Sequence, residues 1–408
     1  MQKLKRSLSC LLKFPVAALI TVLLCASFAW AGPGGRTIYS FPGGSNAANP
    51  DGSMIFDNGG SLYGVAGGGA NNAGAVFKLT PSGTGSWTES VIYSFLNYSD
   101  YPGSNIVFDL GGNLYGTMPG SGSCGAVYQL VPSSGGSWTQ NIIFSFNDSD
   151  TEGCYPESII FDPATGDLYG ITALGGASNS GTVFELIPVA GGGWNFSLVY
   201  SFLDDPSDGQ VPSGVLTLDS SGNLYGTAVY GGSYNAGTVY KITNGADGWH
   251  ESILYNFTGG FNGGAPEAGV IFDRLGNLYG TSYYNGGDEV GNVFKLTPTK
   301  GDWVIHVIHT FTGGPDGGQP SEFNLAIDGS GNLYGTTELG GLYNYGTAYK
   351  LSPSTGGKWK ESVLHAFTNG ADGGNPDCGF VFDSSGNLYG STNNGGADGD
   401  GVVFEIKP

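Results

Sequence analysis

Positive charge is scarce in this 408-residue chain, which carries 14 Lys and Arg residues against 34 Asp and Glu residues and a formal net charge of −20. Only 12% of the residues are charged, and there are four histidines and five cysteines. Nucleic acid and anionic membrane surfaces would repel such a chain, so we expect neither as a partner. Helical periodicity is missing, whereas 75 glycines and 13% aromatic residues are typical of an all-β protein with many tight turns.

A long apolar run occurs only near the N-terminus. Residues 16–24 follow a basic segment that ends at Lys13, and they precede a small-residue pattern that ends at Ala31. This arrangement predicts a secretory signal peptide over residues 1–31 and an exported mature protein, in the periplasm, at the cell surface or outside the cell. We expect residues 32–408 to form one domain without a transmembrane segment, because no second apolar stretch of about 18 residues follows.

Seven repeats of about 54 residues make up the rest of the chain. Each holds a Leu-Tyr-Gly triplet, an aspartate six or seven residues before the tyrosine, and a Gly-Gly-rich loop followed by an apolar segment. Six repeats also hold a tryptophan eight residues before a phenylalanine, as from Trp87 to Phe95. The triplet tyrosines are Tyr63, Tyr115, Tyr169, Tyr225, Tyr279, Tyr334 and Tyr389. Each unit therefore predicts four short strands, the content of one β-propeller blade.

The chain ends indicate how the ring closes. Residues 37–41 form a lone copy of the fourth strand, and the sequence stops at Pro408 just after the third strand of the last unit. We therefore expect an all-β, seven-bladed propeller of four-stranded blades in which the N-terminal strand completes the last blade. That closure hides two sheet edges that would otherwise be exposed.

These motifs also carry a family resemblance. The recurring Tyr-Ser-Phe, Phe-Asp-x-x-Gly-Asn-Leu-Tyr-Gly and Gly-Gly-x-x-x-x-Gly-Thr-Val-Phe patterns resemble those of the bacterial GloVer (Gloeo_Verruco) tandem-repeat proteins of the choice-of-anchor group, over residues 37–408. The resemblance implies a β-propeller-like fold, export and surface display. It supplies no established activity and no catalytic residues, and the cell-surface anchor in which such proteins often end is not seen before Pro408.

The loops of units four to six differ most from the repeat. Those between second and third strands, together with those between fourth and first strands, lie on one face of a propeller. The candidate ligand-binding residues there are Tyr230, Tyr234, Tyr283, Tyr284, Tyr343, Tyr345, Asp288 and Glu338. Exposed tyrosines beside carboxylates can stack on sugar rings and bond their hydroxyls. The alternative is that these aromatic residues only cover the core.

Metal and disulfide candidates are few. Asp148, Asp150 and Glu152 alternate as in a calcium loop, but Ile159 stands where the twelfth-position carboxylate belongs, so bound Ca²⁺ and an ordinary solvated turn both stay open. Cys124 and Cys154 lie in neighbouring loops of one face, and an exported protein favours a disulfide between them. Cys378 would stay free or pair between molecules.

We infer a non-catalytic, exported propeller that binds a glycan or a surface protein through units four to six. No nucleophile elbow or phosphate loop occurs in the mature sequence. An extracellular carbohydrate-active enzyme, a lyase or hydrolase, and a purely structural surface protein remain the alternatives.

Overall fold

The computed structural model describes residues 35–83, 85–122, 124–147, 151–284 and 290–408. The predicted signal peptide lies outside these ranges. The described residues form 29 β-strands, arranged in seven antiparallel sheets that surround a common axis as the blades of a propeller. Two single-turn 3-10 helices lie in the connections. No helix of this part of the chain is long and apolar enough to cross a membrane.

The first strand, β1 (Gly35–Ser40), precedes the first blade. Blade one contains β2 (Ala47–Phe56), β3 (Leu62–Gly68), β4 (Ala75–Pro81) and β5 (Trp87–Ser94). Blade two contains β6 (Ile106–Phe108), β7 (Leu114–Met118), β8 (Ala126–Pro132) and β9 (Trp138–Ser145). Blade three contains β10 (Cys154–Phe161), β11 (Leu168–Leu174), β12 (Thr182–Pro188) and β13 (Trp194–Ser201). Blade four contains β14 (Gly209–Leu218), β15 (Leu224–Gly231), β16 (Thr238–Gly245) and β17 (Gly248–Asn256).

The remaining blades show two departures from the regular pattern. Blade five is regular, with β18 (Ile271–Phe272), β19 (Leu278–Ser282), β20 (Asn292–Pro298) and β21 (Trp303–Thr310). In blade six the first strand is split into β22 (Gly318–Pro320) and β23 (Ala326–Ile327), which both pair with β24 (Leu333–Leu339) and precede β25 (Thr347–Pro353) and β26 (Trp359–Ala366). Blade seven has only three strands of its own, β27 (Val381–Phe382), β28 (Leu388–Thr392) and β29 (Val402–Ile406).

The N-terminal strand completes blade seven, which confirms the predicted closure. β1 pairs antiparallel with β29, so that Thr37 lies opposite Phe404 and Ser40 opposite Val402. The side chain of Arg36 on β1 also bonds Glu405 on β29, with 2.5 Å between Nε and Oε2. The two ends of the chain are thereby joined in one sheet.

Adjacent blades are joined by a close contact between a glycine and a proline. The proline that opens each unit, here called the leading proline, packs on a glycine at the start of the third strand of the preceding blade. A Cβ added to Gly237 would lie 2.5 Å from Cδ of Pro266, and one added to Gly401 would lie 2.6 Å from Cδ of Pro50 across the ring closure. These glycines have φ values of +76° to +95°, so both the backbone conformation and the lack of a side chain require glycine.

The backbone is strained just before the leading proline. In six of seven blades the preceding residue has a φ of 47° to 59°, although only two of these residues are asparagine. Val211, which is β-branched, is the least suited to this left-handed region. Its N–H donates to the carbonyl oxygen of Ser180 in the blade before, at 2.9 Å. Hydrogen bonds of this kind between blades hold the strained residues in place.

Most repeated residues have structural roles. The Tyr63 ring packs edge-on against Phe108 and Trp138 of the next blade. Asp57 accepts hydrogen bonds from the backbone N–H groups of Gly59 and Ser61, each at 2.8 Å. The equivalent aspartates of the other units hold their turns in the same way, so they are not candidates for catalysis.

Candidate functional site

Chain direction defines two faces of the ring. The loops from fourth to first strands and from second to third strands lie on what we call the upper face; the turns from first to second and from third to fourth strands lie on the lower face. First strands line the central channel, since the side chain of Asn324 in blade six reaches the carbonyl oxygen of Val215 in blade four, at 3.1 Å. A residue that follows a leading proline therefore lies at the upper mouth of the channel.

Six carboxyl groups gather at this mouth. Four follow a leading proline directly, one is a residue further along in blade six, and one ends the second strand of blade six. We call them the mouth cluster: Asp51, Glu157, Glu267, Glu322, Glu338 and Asp377. A cavity of about 200 Å³ opens between Glu157, Ser213 and Glu322.

The electrostatics of the mouth show that these groups share one environment. Burial, with repulsion from Asp377 and Glu322, raises the pKa of Asp51 to about 7. Burial and the charges of Glu322, Asp377 and Glu157 raise the pKa of Glu267 to about 7.

The other four members are affected in the same direction. The pKa of Glu157 rises to about 7 through burial and the charge of Glu322. That of Glu338 also rises to about 7, through burial and repulsion that is strongest from Asp377. Burial raises the pKa of Asp377, although Ser321 Oγ donates to its Oδ1 at 2.9 Å. Burial and the charge of Asp377 raise the pKa of Glu322, whose side chain still reaches solvent. Near pH 7 the mouth therefore contains both carboxylic acids and carboxylates, which can donate as well as accept hydrogen bonds.

Neighbouring inner strands are hydrogen-bonded to each other below the mouth. Ser53 N donates to the carbonyl oxygen of Ser104 at 3.2 Å, and Ser158 Oγ donates to the carbonyl oxygen of Gly214 at 2.6 Å. The segment between β22 and β23 adds the hydrogen bond from Asn324. We call the mouth, together with the inner strands that meet below it, the cup.

Exposed aromatic side chains lie on the same face as the cup. In the described part of the chain, every aromatic residue classed as exposed lies on the upper face. These residues are Tyr98, Tyr155, Tyr230, Tyr234, Phe261, Tyr284, Tyr343 and Tyr345. The exposed apolar side chains of the lower-face turns, Leu110, Val189 and Leu275, are aliphatic.

The structure separates the predicted ligand residues into an inner and an outer group. Glu338 belongs to the mouth cluster. Tyr283 is half-buried beside the mouth, and its N–H donates to the carbonyl oxygen of Ala265 at 3.1 Å, next to the leading proline of blade five. Tyr230, Tyr234, Tyr284, Tyr343 and Tyr345 are exposed further out, with Tyr234 the most exposed at 64%. Asp288 lies outside the described residues.

Sequence reasoning missed five of the six mouth carboxyls. The signal was present, because an acidic residue follows the leading proline in four of seven units, at Asp51, Glu157, Glu267 and Asp377. These residues are separated by up to 326 positions in the printed sequence, and only the ring brings them together. A further mouth residue, Tyr101, was also missed; burial and the charge of Asp51 raise its pKa to about 12.

The weaker candidates have plain structural roles where the structure describes them. Glu152 Oε2 accepts the backbone N–H of Asn147 at 3.1 Å and so holds its own loop; Asp148 and Asp150 lie outside the described residues. In the described ranges, no group of three or more His, Cys, Asp or Glu side chains is arranged to hold a metal ion.

The cysteines occupy two different settings. Cys124 and Cys154 form a disulfide, with their Cα atoms 4.4 Å apart. Cys378 is buried, and burial raises the pKa of its thiol to about 12. Its Sγ accepts the backbone N–H of Ser391 at 3.2 Å, so its position does not suit pairing between molecules.

Comparison with known proteins identifies the repeat. The Gloeobacter/Verrucomicrobia repeat model matches residues 27–219 and again residues 192–404. The chain belongs to this family. The two overlapping matches of the Gloeobacter/Verrucomicrobia repeat extend over nearly the whole sequence, as expected for seven tandem units in one ring. No curated protein matches the sequence significantly.

Solved structures show weaker similarity. A gluconolactonase from Xanthomonas campestris is 12% identical, with a TM-score of 0.44, and the match covers 94% of this chain and 93% of that one. A protein of unknown function from Dyadobacter fermentans is 14% identical, with a TM-score of 0.47 and coverage of 92% and 100%. A Thermus thermophilus protein provisionally assigned as a glucose dehydrogenase is 16% identical, with a TM-score of 0.45 and coverage of 74% and 95%. Similarity at this level carries no functional argument for this member of the Gloeobacter/Verrucomicrobia repeat family.

Proposed function

We propose that this protein is an exported, non-catalytic binding protein whose ligand is a glycan held on the upper face. The observation that carries the proposal is the one-sided distribution of exposed aromatic residues, which lie on the same face as the acidic mouth and are concentrated in blades four to six. Scattered singly, such residues would need no explanation. Gathered on the face that holds a concave polar site, they are typical of ligand-binding surfaces.

The chemistry of the upper face suits a polyhydroxylated ligand. Flat tyrosine rings such as those of Tyr230 and Tyr343 offer apolar faces to sugar rings, and their hydroxyl groups remain available for hydrogen bonds. The mouth cluster can accept hydrogen bonds through its carboxylates and donate them through its protonated members. A glycan that spans both regions would use stacking at the rim and hydrogen bonding at the cup.

The proposal includes export. The pattern over residues 1–31 supports it, as does the disulfide between Cys124 and Cys154, because such bonds persist mainly in oxidising compartments. Cell fractionation with detection of the processed N-terminus tests this part by itself. Recovery of the unprocessed chain in the cytoplasm would contradict it.

A glycan-array screen of residues 32–408 tests the ligand. The test variant is Tyr230→Ala/Tyr234→Ala/Tyr343→Ala, and the control is Leu110→Ala/Val189→Ala, which removes exposed apolar side chains from lower-face turns. We expect saturable binding that the test variant loses by at least tenfold while the control keeps it. If the protein binds none of the glycans on the array, the glycan proposal is wrong, and a protein partner or a structural role is favoured.

A second candidate, glycosidic bond cleavage, is favoured by one observation. A general acid needs a carboxyl group that is still protonated near neutral pH, and burial with like-charge repulsion places the pKa of Glu157 and Glu267 at about 7. The test is to incubate a bound glycan with the protein and measure new reducing ends. Turnover that Glu267→Gln abolishes, with binding retained, would establish the enzyme; intact glycan after prolonged incubation would leave binding alone.

A further inference from the structure

The few positive charges of this protein are unevenly distributed. Arg274, Lys295, His306 and Lys358 line two adjoining grooves at the lower face, between blades five and six. The larger groove has a volume of about 840 Å³ and the smaller about 330 Å³. Two carboxylates, Asp273 and Asp328, line them too, so the grooves have a small net positive charge on a chain whose net charge is −20.

Strand register places two of these basic groups side by side. Lys295 on β20 lies directly opposite His306 on β21, so their side chains project from the same face of the sheet. The equivalent lysines of blades one, four and six, at positions 78, 241 and 350, each lie opposite a serine. The pair in blade five is therefore a departure from the repeat, and Lys358 of blade six faces it across the groove.

The lysines of the groove are not held in ion pairs. In blade one the equivalent Lys78 lies 3.4 Å from Asp57, whereas no ion pair joins Lys295 or Lys358 to any residue in the described part of the chain. Asp328 lines the smaller groove and Asp273 lines both grooves, and the pKa of each carboxyl is lowered by its hydrogen bonds, so both remain negatively charged. The carboxylate of Asp273 is held within its own turn. It accepts hydrogen bonds from the amide of Asn277 at 2.6 Å and from the hydroxyl of Tyr279 at 3.1 Å, besides backbone donors.

The groove also has an aromatic wall. Trp359 packs against Tyr279 with ring centroids 5.9 Å apart, and Nζ of Lys295 lies 5.7 Å from the Tyr279 ring centroid. Trp359 remains partly exposed. A ligand in the groove would therefore meet ammonium groups on one side and an indole on the other.

We propose that this lower-face groove is a second binding site, which takes a short anionic saccharide such as an oligomer of uronic acids. The carboxylates of the sugar would lie at Lys295 and Lys358, with a sugar ring against Trp359. Repulsion from acidic groups elsewhere is screened beyond about 8–10 Å at physiological ionic strength, so the local positive field decides binding of a short ligand. This site is independent of the glycan site proposed for the upper face.

Calorimetric titration of the whole protein with trigalacturonate at about 0.1 M salt, where the Debye length is about 10 Å, tests the site. The test variant is Lys295→Gln/Lys358→Gln. The control, Lys241→Gln/Lys360→Gln, removes the same two charges outside the groove, and Lys241 also lies over a tyrosine ring, at 5.4 Å from the Tyr225 centroid. We expect at least tenfold weaker binding by the test variant, less than a twofold change in the control, and loss of affinity as salt rises.

Three results with saccharides would each overturn the proposal: equal loss in both variants, equal binding of the neutral trisaccharide galactotriose, or no saturable binding of trigalacturonate by the unaltered protein. A sulfated trisaccharide that binds equally well supports the shared anionic chemistry and widens the ligand class. Tighter binding of an oligothymidylate would refute the saccharide assignment. The triple tyrosine variant of the upper face should bind trigalacturonate normally, which separates this site from the first.

Discussion

The mouth cluster should make the protein less stable as pH rises from 5 to 8. Burial and repulsion from Asp377 and Glu322 raise the pKa of Asp51 from 3.8 to about 7 in the folded protein. The folded state therefore keeps its proton to a higher pH than the unfolded state does, and stability falls with increasing pH wherever the native state binds more protons. The contribution is fully present below about pH 4 and is lost as pH passes through 7.

The expected size follows from the shift. Each pKa unit corresponds to about 1.4 kcal/mol, so a change of about three units sets an upper limit of about 4 kcal/mol for Asp51. The group is partly exposed and titrates together with five neighbours, which lowers the effect of one substitution to about 1–2 kcal/mol. Asp51→Asn should therefore raise the free energy of unfolding by about 1–2 kcal/mol at pH 8 and by less than half of that amount at pH 5, where the carboxyl of the unfolded chain is already largely ionised.

Urea denaturation at pH 5, 6, 7 and 8 measures the free energy of unfolding of Asp51→Asn and of the unaltered protein. The control is Asp398→Asn, which removes an exposed carboxylate from an upper-face loop. Glu251, with a pKa raised to about 8 mainly by burial, changes stability in the same direction, so the difference between variant and unaltered protein isolates the mouth. The turn aspartates such as Asp219, whose hydrogen bonds lower their pKa, act below about pH 4 and do not interfere. If Asp51→Asn is no more stable than the unaltered protein at pH 8, the mouth carboxyls do not repel one another.

Three further predictions concern stability, each measured by urea denaturation at pH 6. Gly237→Ala should lower the free energy of unfolding by more than 2 kcal/mol, because the new Cβ would lie 2.5 Å from the next leading proline. Gly222→Ala, also at positive φ but with no atom near the new Cβ, should lower it by about 1 kcal/mol. Equal losses would contradict a steric role for the contact between blades. Val211→Asn should stabilise the fold by about 1 kcal/mol, since asparagine tolerates the φ of 56° found there better than valine does; destabilisation would show that valine packing outweighs strain. Cys124→Ser/Cys154→Ser should lower the free energy of unfolding by about 3–4 kcal/mol, the loop-closure contribution expected for a separation of 30 residues. As a check, the variant and the unaltered protein should have the same urea midpoint under reducing conditions.

The regular part of the fold was predictable because the same strand and turn pattern occurs in each of the seven repeats. The pattern from Trp87 to Phe95 predicted a strand, and β5 spans Trp87–Ser94. The lone segment at residues 37–41 predicted the closure that β1 makes with β29. Local rules suffice here, since alternating apolar residues between glycine-rich turns specify strands without reference to the rest of the chain.

Features that depend on the assembled ring were harder to predict. Valine, alanine and glutamine normally avoid left-handed φ values, yet Val211, Ala265 and Gln319 adopt them before a leading proline, because hydrogen bonds from the preceding blade hold them. Local sequence gives no sign of this constraint. The mouth cluster likewise exists only because seven distant segments converge on one axis.

Blade six shows how a small irregularity in the repeat can shape a site. The leading proline precedes the turn aspartate by seven residues in blades one, two, four, five and seven, but by eight from Pro320 to Asp328. The extra residue lies between Pro320 and Asp328, where the first strand is divided into β22 and β23. The segment between β22 and β23 places Glu322 in the mouth, and it places Asn324 where its side chain reaches across the channel.

The same reasoning explains why functional candidates lie at departures from the repeat. A residue type repeated in every blade is distributed evenly around the ring and serves each blade alike, as the turn aspartates and triplet tyrosines do. A single binding site needs an asymmetric set of groups. Glu322, in the segment between β22 and β23, provides this asymmetry at the upper face. His306 provides it at the lower face, at a position that holds serine in blades one, four and six. Restoring the repeat at either position, by deleting Glu322 or by His306→Ser, should weaken binding at that face and leave the other unaffected.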